Sequence, residues 1–156
     1  MNTYLLIKLV HILSSVALVG TGFGTAFYLY RANRSTSLEA RVVVARNVVL
    51  ADWLFTTPAV ILQPATGLWL AHLAGWPLST PWIALSIGLY LFAGLCWLPV
   101  VWLQIRMHRL AEAALDAGRP LPAQYRAMAR WWEGLGYPAF AAMAGVFALM
   151  VLKPAL

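Results

Sequence analysis

Residues Tyr4–Tyr30, YLLIKLVHILSSVALVGTGFGTAFYLY, form one apolar run of 27 residues whose single formally charged side chain is Lys8. About 20 apolar residues cross a bilayer as a helix, and the run lacks the alternating ten-residue pattern of a barrel strand. It therefore reads as a membrane-spanning helix. It exceeds the ~7–15-residue apolar core of a secretory signal and has no small-x-small site before a polar region, so it is not read as a cleaved leader. Similar runs follow at about residues 46–73, 81–105 and 135–152. The four predict an all-α membrane protein, a four-transmembrane-helix bundle in which residues 1–156 form a single integral membrane domain.

Composition agrees with this. Hydrophobic residues make up 62% of the chain and charged residues 10%, whereas a soluble domain carries about 25% charged residues. The net charge of +6 is placed asymmetrically. Arg31, Arg34, Arg41 and Arg46 flank the first connection and Arg106, Arg109, Arg119, Arg126 and Arg130 lie in the third, while Ala74–Thr80 carries no charge. By the positive-inside rule, connections one and three are cytoplasmic and both termini periplasmic, in a bacterial inner membrane. That distribution argues against nucleic acid as a partner. The bilayer is the expected surrounding, with a homodimer or a redox partner protein as candidate associations. Cys96, the lone cysteine, sits inside the third run and reads as packing.

Helix one carries Gly20, Gly22 and Gly24, small residues that allow close helix approach in lipid. Ser35-Thr36-Ser37 offers a cap for a short helix leading into span two. On helix two, Asp52, Thr56, Ala59, Gln63 and Thr66 share one face at 100° per residue, and Pro58 and Pro64 are expected to bend the rod. A polar stripe at this depth belongs against protein or a cavity. Helix three is expected to extend on the cytoplasmic side through Arg106 to about Ala117, ended by Gly118. Residues 123–133 place Tyr125, Met128 and Trp132 on an apolar side, which reads as a short interfacial helix or as the run-in to span four.

His11 is the main candidate for chemistry. An ionisable group inside a span is a functional-site hypothesis by default, and His11 lies about 12 Å below the outer end of helix one at 1.5 Å per residue. Residues expected at its level are Gln63 and Thr66 on helix two, Ser86 and Tyr90 on helix three, and Phe140, Met143 and Phe147 on helix four. Such a lining suits a flat aromatic ligand such as haem, with histidine as axial ligand. Met143 is a candidate second ligand or core filler. His72 is a candidate metal ligand near the outer surface, although an ideal helix sets it opposite the polar stripe. Lys8, on the face of His11, either snorkels to the headgroups or holds a propionate. Asp52 is expected to pair with Arg46, Arg106 or Arg130. No P-loop, G-x-S-x-G, H-E-x-x-H or C-x-x-C motif is present.

A family likeness rests on Lys8-Leu9-Val10-His11 with Gly20 and an arginine at the helix exit, Leu54-Phe55-Thr56-Thr57-Pro58-Ala59-Val60-Ile61, Thr66-Gly67-Leu68-Trp69-Leu70, and Trp82. In these residues the chain resembles a family of uncharacterised bacterial four-span integral membrane proteins. More distantly it is similar to the HemJ-type protoporphyrinogen oxidases and the CopD-like membrane proteins. The likeness covers roughly the first three helices. The oxidase resemblance implies haem b on the helix-one histidine, here His11. Ser86 stands where those oxidases use a lysine, and Leu18 where they have a tryptophan. The expected function is a haem b-binding membrane protein with a redox or porphyrin-linked role. The alternatives are a cofactor-free membrane subunit, or a small transporter using Asp52, Gln63 and His11.

Overall fold

The computed structural model describes residues 2–155, and among them all regular structure is helical. Helix α1 spans Thr3–Asn33, and the Asn2 side chain accepts a hydrogen bond from the Tyr4 amide at its start. Helix α2 spans Leu38–Ala51, capped by the Ser37 hydroxyl on the Ala40 amide at 3.0 Å. Five residues of π-helix, Asp52–Thr56, join it without a break to α3, Thr57–Leu73. Helix α4 spans Pro81–Asp116 and α5 spans Ala123–Leu152. Four rods result, Leu38–Leu73 being one of them, and each is long and apolar enough to cross a membrane.

The π-helical turn has a local cause. Pro58 has no amide hydrogen, and its ring would press on the carbonyl four residues earlier in a regular helix. One widened turn relieves that conflict, with the Thr57 amide reaching back five residues to the Asp52 carbonyl. The expected polar stripe forms: Asp52, Thr56, Ala59 and Thr66 are all buried. Pro64, Pro99 and Pro138 lie inside helices that run on past them.

Helix α4 extends as expected and stops where glycine allows it. Gly118 adopts φ +58°, and the Arg119 amide returns to the Ala114 carbonyl at 2.9 Å. The 36 residues of α4 measure about 54 Å at 1.5 Å per residue, well beyond a ~30 Å hydrocarbon layer. Of the two readings left open for residues 123–133, the run-in is the one observed. Residues 123–152 form one helix, so residues 123–133 are not a separate interfacial helix. The reason is packing. Tyr125, Met128 and Trp132 are buried in a core with Leu29, Val48 and Met107, which ties all the rods together at the arginine-rich end.

Toward the other end the rods separate into two pairs. Helix α1 packs on α3 and α2, and α4 packs on α5, while α1 and α5 approach one another sparsely. In the α4–α5 pair, a Cβ at Gly145 would lie 3.0 Å from Leu89 Cδ1. The glycines of α1 behave differently from expectation. A Cβ at Gly20 or Gly24 would meet nothing within 4 Å, and one at Gly22 would meet only the Phe140 ring at 3.7 Å. They border open space rather than a tight helix contact. Large apolar side chains such as Leu5, Leu13, Val16, Leu95 and Val151 are exposed, as lipid-facing surface requires.

Candidate functional site

Two constellations stand out, and they share no residue. The first is centred on His11. Its Nδ1 is 2.8 Å from the Thr66 hydroxyl, and its Nε2 is 3.2 Å from the Gln63 amide nitrogen. The Thr66 hydroxyl donates its own proton to the Leu62 carbonyl at 2.6 Å. The threonine oxygen must therefore accept, which assigns the proton of a neutral ring to Nδ1 and leaves Nε2 to accept from Gln63. The Ser14 hydroxyl is placed to donate to the side-chain oxygen Oε1 of Gln63 and to the His11 backbone carbonyl. Opposite the ring is Gly67, where a Cβ would come within 3.2 Å of His11 Cε1. Glycine there allows the close approach, since a Cβ would crowd the imidazole and the ring would have to give by a few tenths of an ångström.

The second constellation is a cavity of about 340 Å³ bounded by α1, the π turn, α4 and α5. Its wall is apolar and rich in rings: Leu18, Phe23 and Phe27 from α1, Trp97 from α4, Phe140 and Met143 from α5. Phe23 and Phe140 stack at 4.3 Å across the gap between α1 and α5. Phe23, Phe27 and Tyr137 are themselves exposed, so the mouth opens sideways on the lipid-facing flank. Polar groups enter on the inner side: Asp52 and Thr56 from the π turn, Tyr90 and Gln104 from α4, Glu133 from α5. The widened turn thus brings two polar side chains to a position facing α4.

Each polar group has its own bonding. Thr56 donates to Asp52 Oδ1 at 2.8 Å, and Asp52 lies beside Gln104. The expected ion pair of Asp52 with Arg46, Arg106 or Arg130 does not form: Asp52 is buried, whereas all three arginines are exposed. Tyr90 donates to the Val60 carbonyl at 2.7 Å, tying α4 to α3. Glu133 receives both Arg34 nitrogens, at 2.9 and 3.2 Å, and the guanidinium also lies 3.4 Å above the Tyr30 ring. That carboxylate pushes Arg34 above its ordinary value.

The residues expected around one ligand are therefore divided. His11, Gln63 and Thr66 meet one another. Tyr90 and Met143 line the cavity, and none of the first three does. Ser86 is buried and returns its proton to the Trp82 carbonyl at 2.6 Å. Lys8 and His72 are exposed, and no hydrogen bond joins His72 to His11. Among the described residues no three His, Cys, Asp or Glu side chains cluster as metal ligands. Sequence reasoning missed the cavity residues Phe23, Trp97 and Gln104, whereas Phe140 was expected in a ligand wall and does line the cavity. Gln104 had a visible signal, being the one amide inside the apolar run 81–105.

Four long apolar helices around a lateral cavity define a multi-pass integral membrane protein. The pattern of a family described as "Predicted integral membrane protein (DUF2269)" matches residues 5–154, and the chain belongs to that family. No curated protein and no solved structure matches it. The match bears on the nearer of the two expected likenesses; the likeness to HemJ-type oxidases and CopD-like proteins is not shown.

Proposed function

We propose that this membrane protein binds a lipid-soluble small molecule that enters its α1–α5 cavity sideways from the bilayer. One observation carries the reading: a 340 Å³ apolar space, lined by aromatic rings and bordered by a few polar groups, lies within the spans. Small-molecule sites have volumes of about 300–1,000 Å³ and this same mix of apolar wall and few polar groups. The arginine distribution supports a cytoplasmic position for the end holding Arg34, Arg106 and Arg130, with both termini periplasmic in a bacterial inner membrane. Gln104 and Glu133 then border the cavity toward its cytoplasmic end, and Tyr90 toward its periplasmic end.

The test uses the tryptophans in the wall. A terminally brominated undecyl alcohol should quench Trp97 and Trp132 saturably in detergent-purified protein. Gly22→Phe projects a ring into the cavity and should weaken that binding about tenfold or more, a loss of about 1.4 kcal/mol, while the melting temperature is kept. Quenching that never saturates, or is equal in the variant, overturns the reading.

A second reading is haem b binding with a redox or porphyrin-linked role and a redox partner protein. The ring tautomer of His11 favours it. A proton on Nδ1 held by Thr66 leaves the Nε2 lone pair as the ligating atom, the usual arrangement of an axial histidine with an orienting bond. Gln63 must then swing off Nε2. Haemin added to the purified protein should give a Soret band that His11→Ala abolishes. A protein that stays colourless sinks this reading, and so does a band that survives the substitution.

A further inference from the structure

The polar border of the cavity carries two buried atoms without a partner, one acceptor and one donor. Gln104 Oε1 and Trp132 Nε1 are both buried and make no hydrogen bond. Both residues line the cavity, and they are 5% and 6% exposed. An unpaired buried polar group is costly, so such atoms call for an occupant that pairs them. Their heights agree. Gln104 lies 12 residues before the end of α4 at Asp116, and Trp132 lies 9 residues after the start of α5 at Ala123. At 1.5 Å per residue the two stand at about 18 and about 14 Å from the α4–α5 connection. The Gln104 side chain lies beside Asp52, and its Oε1 is the atom left buried without a partner.

Charge narrows the class further. Among the described residues no lysine, arginine or histidine lines the cavity, while Asp52 and Glu133 do. Glu133 is paired with Arg34; the polar groups found beside Asp52 among the described residues are the Thr56 hydroxyl and the Gln104 amide. A carboxylate or phosphate head group would find no cationic side chain in this wall and two acidic side chains nearby. A hydrocarbon would leave both orphan atoms unpaired. An ether would satisfy Trp132 and leave Gln104 bare. A hydroxyl donates to Gln104 Oε1 and accepts from Trp132 Nε1–H with one oxygen.

We propose that the ligand is a neutral, hydroxyl-bearing, single-headed lipid-soluble alcohol or phenol, with its hydroxyl between Gln104 and Trp132 and its apolar body among Phe23, Trp97 and Phe140. This rests on the cavity being a ligand site. Three brominated undecyl quenchers separate the two claims: the alcohol, its methyl ether and the corresponding carboxylate, each corrected for partition into the micelle. The alcohol should bind about tenfold more tightly than the ether, as one lost hydrogen bond to a buried group implies, and the carboxylate should bind weakest. Gln104→Met, close in shape and still folded by its melting curve, should erase the preference for alcohol over ether. Saturable binding of alcohol and ether with equal affinity in the unmodified protein overturns the hydroxyl assignment and leaves the cavity reading standing. Failure of all three to bind overturns the cavity reading itself. A preference that persists in Gln104→Met also removes Gln104 from the assignment.

Discussion

Tyr125→Ala should destabilise the protein by about 3–5 kcal/mol, the usual cost of emptying a buried aromatic site, and lower its melting temperature by roughly 10 °C. Tyr125 is 1% exposed and sits in the core with Leu29, Met107 and Met128. Its hydroxyl donates to Asn33 Oδ1 at 2.6 Å, so one side chain holds the start of α5 against the end of α1. Tyr125→Phe keeps the packing and removes that bond, and should cost only about 1 kcal/mol. Thermal unfolding in detergent, followed by circular dichroism, distinguishes the two. If Tyr125→Ala melts like the unmodified protein, the first turns of α5 are a surface helix and the core described above is wrong.

His11→Ala should cost about 1–3 kcal/mol. It removes two bonds between α1 and α3, each worth on average about 0.6 and at most about 1.7 kcal/mol inside a membrane, and leaves a void beside Gly67. A pair of substitutions makes the prediction sharper. Gly67→Ala crowds the ring, because its Cβ would lie 3.2 Å from His11 Cε1. It should therefore destabilise the unmodified protein, yet be neutral or stabilising once His11 is alanine. Melting temperatures of the four proteins close the cycle. Additive effects would show that His11 and Gly67 do not touch. Because the readout is stability, the result stands whether or not haem binds.

These two residues also show how far the sequence could be read. His11 was marked by its setting, since a histidine in an apolar run has few reasons to be there. Its partners Gln63 and Thr66 followed from helical periodicity, and Asp52, Thr56 and Ala59 on the same stripe are buried as expected. Tyr125 was legible only as part of an apolar side. Periodicity gives the side but not what covers it, and lipid surface and protein core ask for the same residue types. So residues 123–133 had two readings until α5 was seen to pack on the other rods.

The cavity was hidden for a related reason. Its wall takes residues from α1, the π turn, α4 and α5, separated by up to 125 positions in the chain, from Leu18 to Met143. No spacing rule links Phe23 to Phe140 or Gln104 to Trp132. Depth reckoned from helical rise did bring Tyr90 and Met143 to one place. It could not tell which way each side chain turned, and so it joined them to His11, which faces α3 instead.

By itself, then, the sequence determined the class of the protein. Four apolar runs require helices, because backbone amides in hydrocarbon must bond within their own segment. It also determined the Gly118 stop and the polar face of the second rod. Only the tertiary structure decided that His11 clamps α1 to α3, that Asp52 has no ion pair among the described residues, and that α1 and α5 part to leave a lateral cavity. In lipid, apolar surface drives helices together no better than it faces the bilayer, so which rods touch and which stand apart depends on packing and a few polar contacts. Those are properties of pairs of helices, not of any one of them.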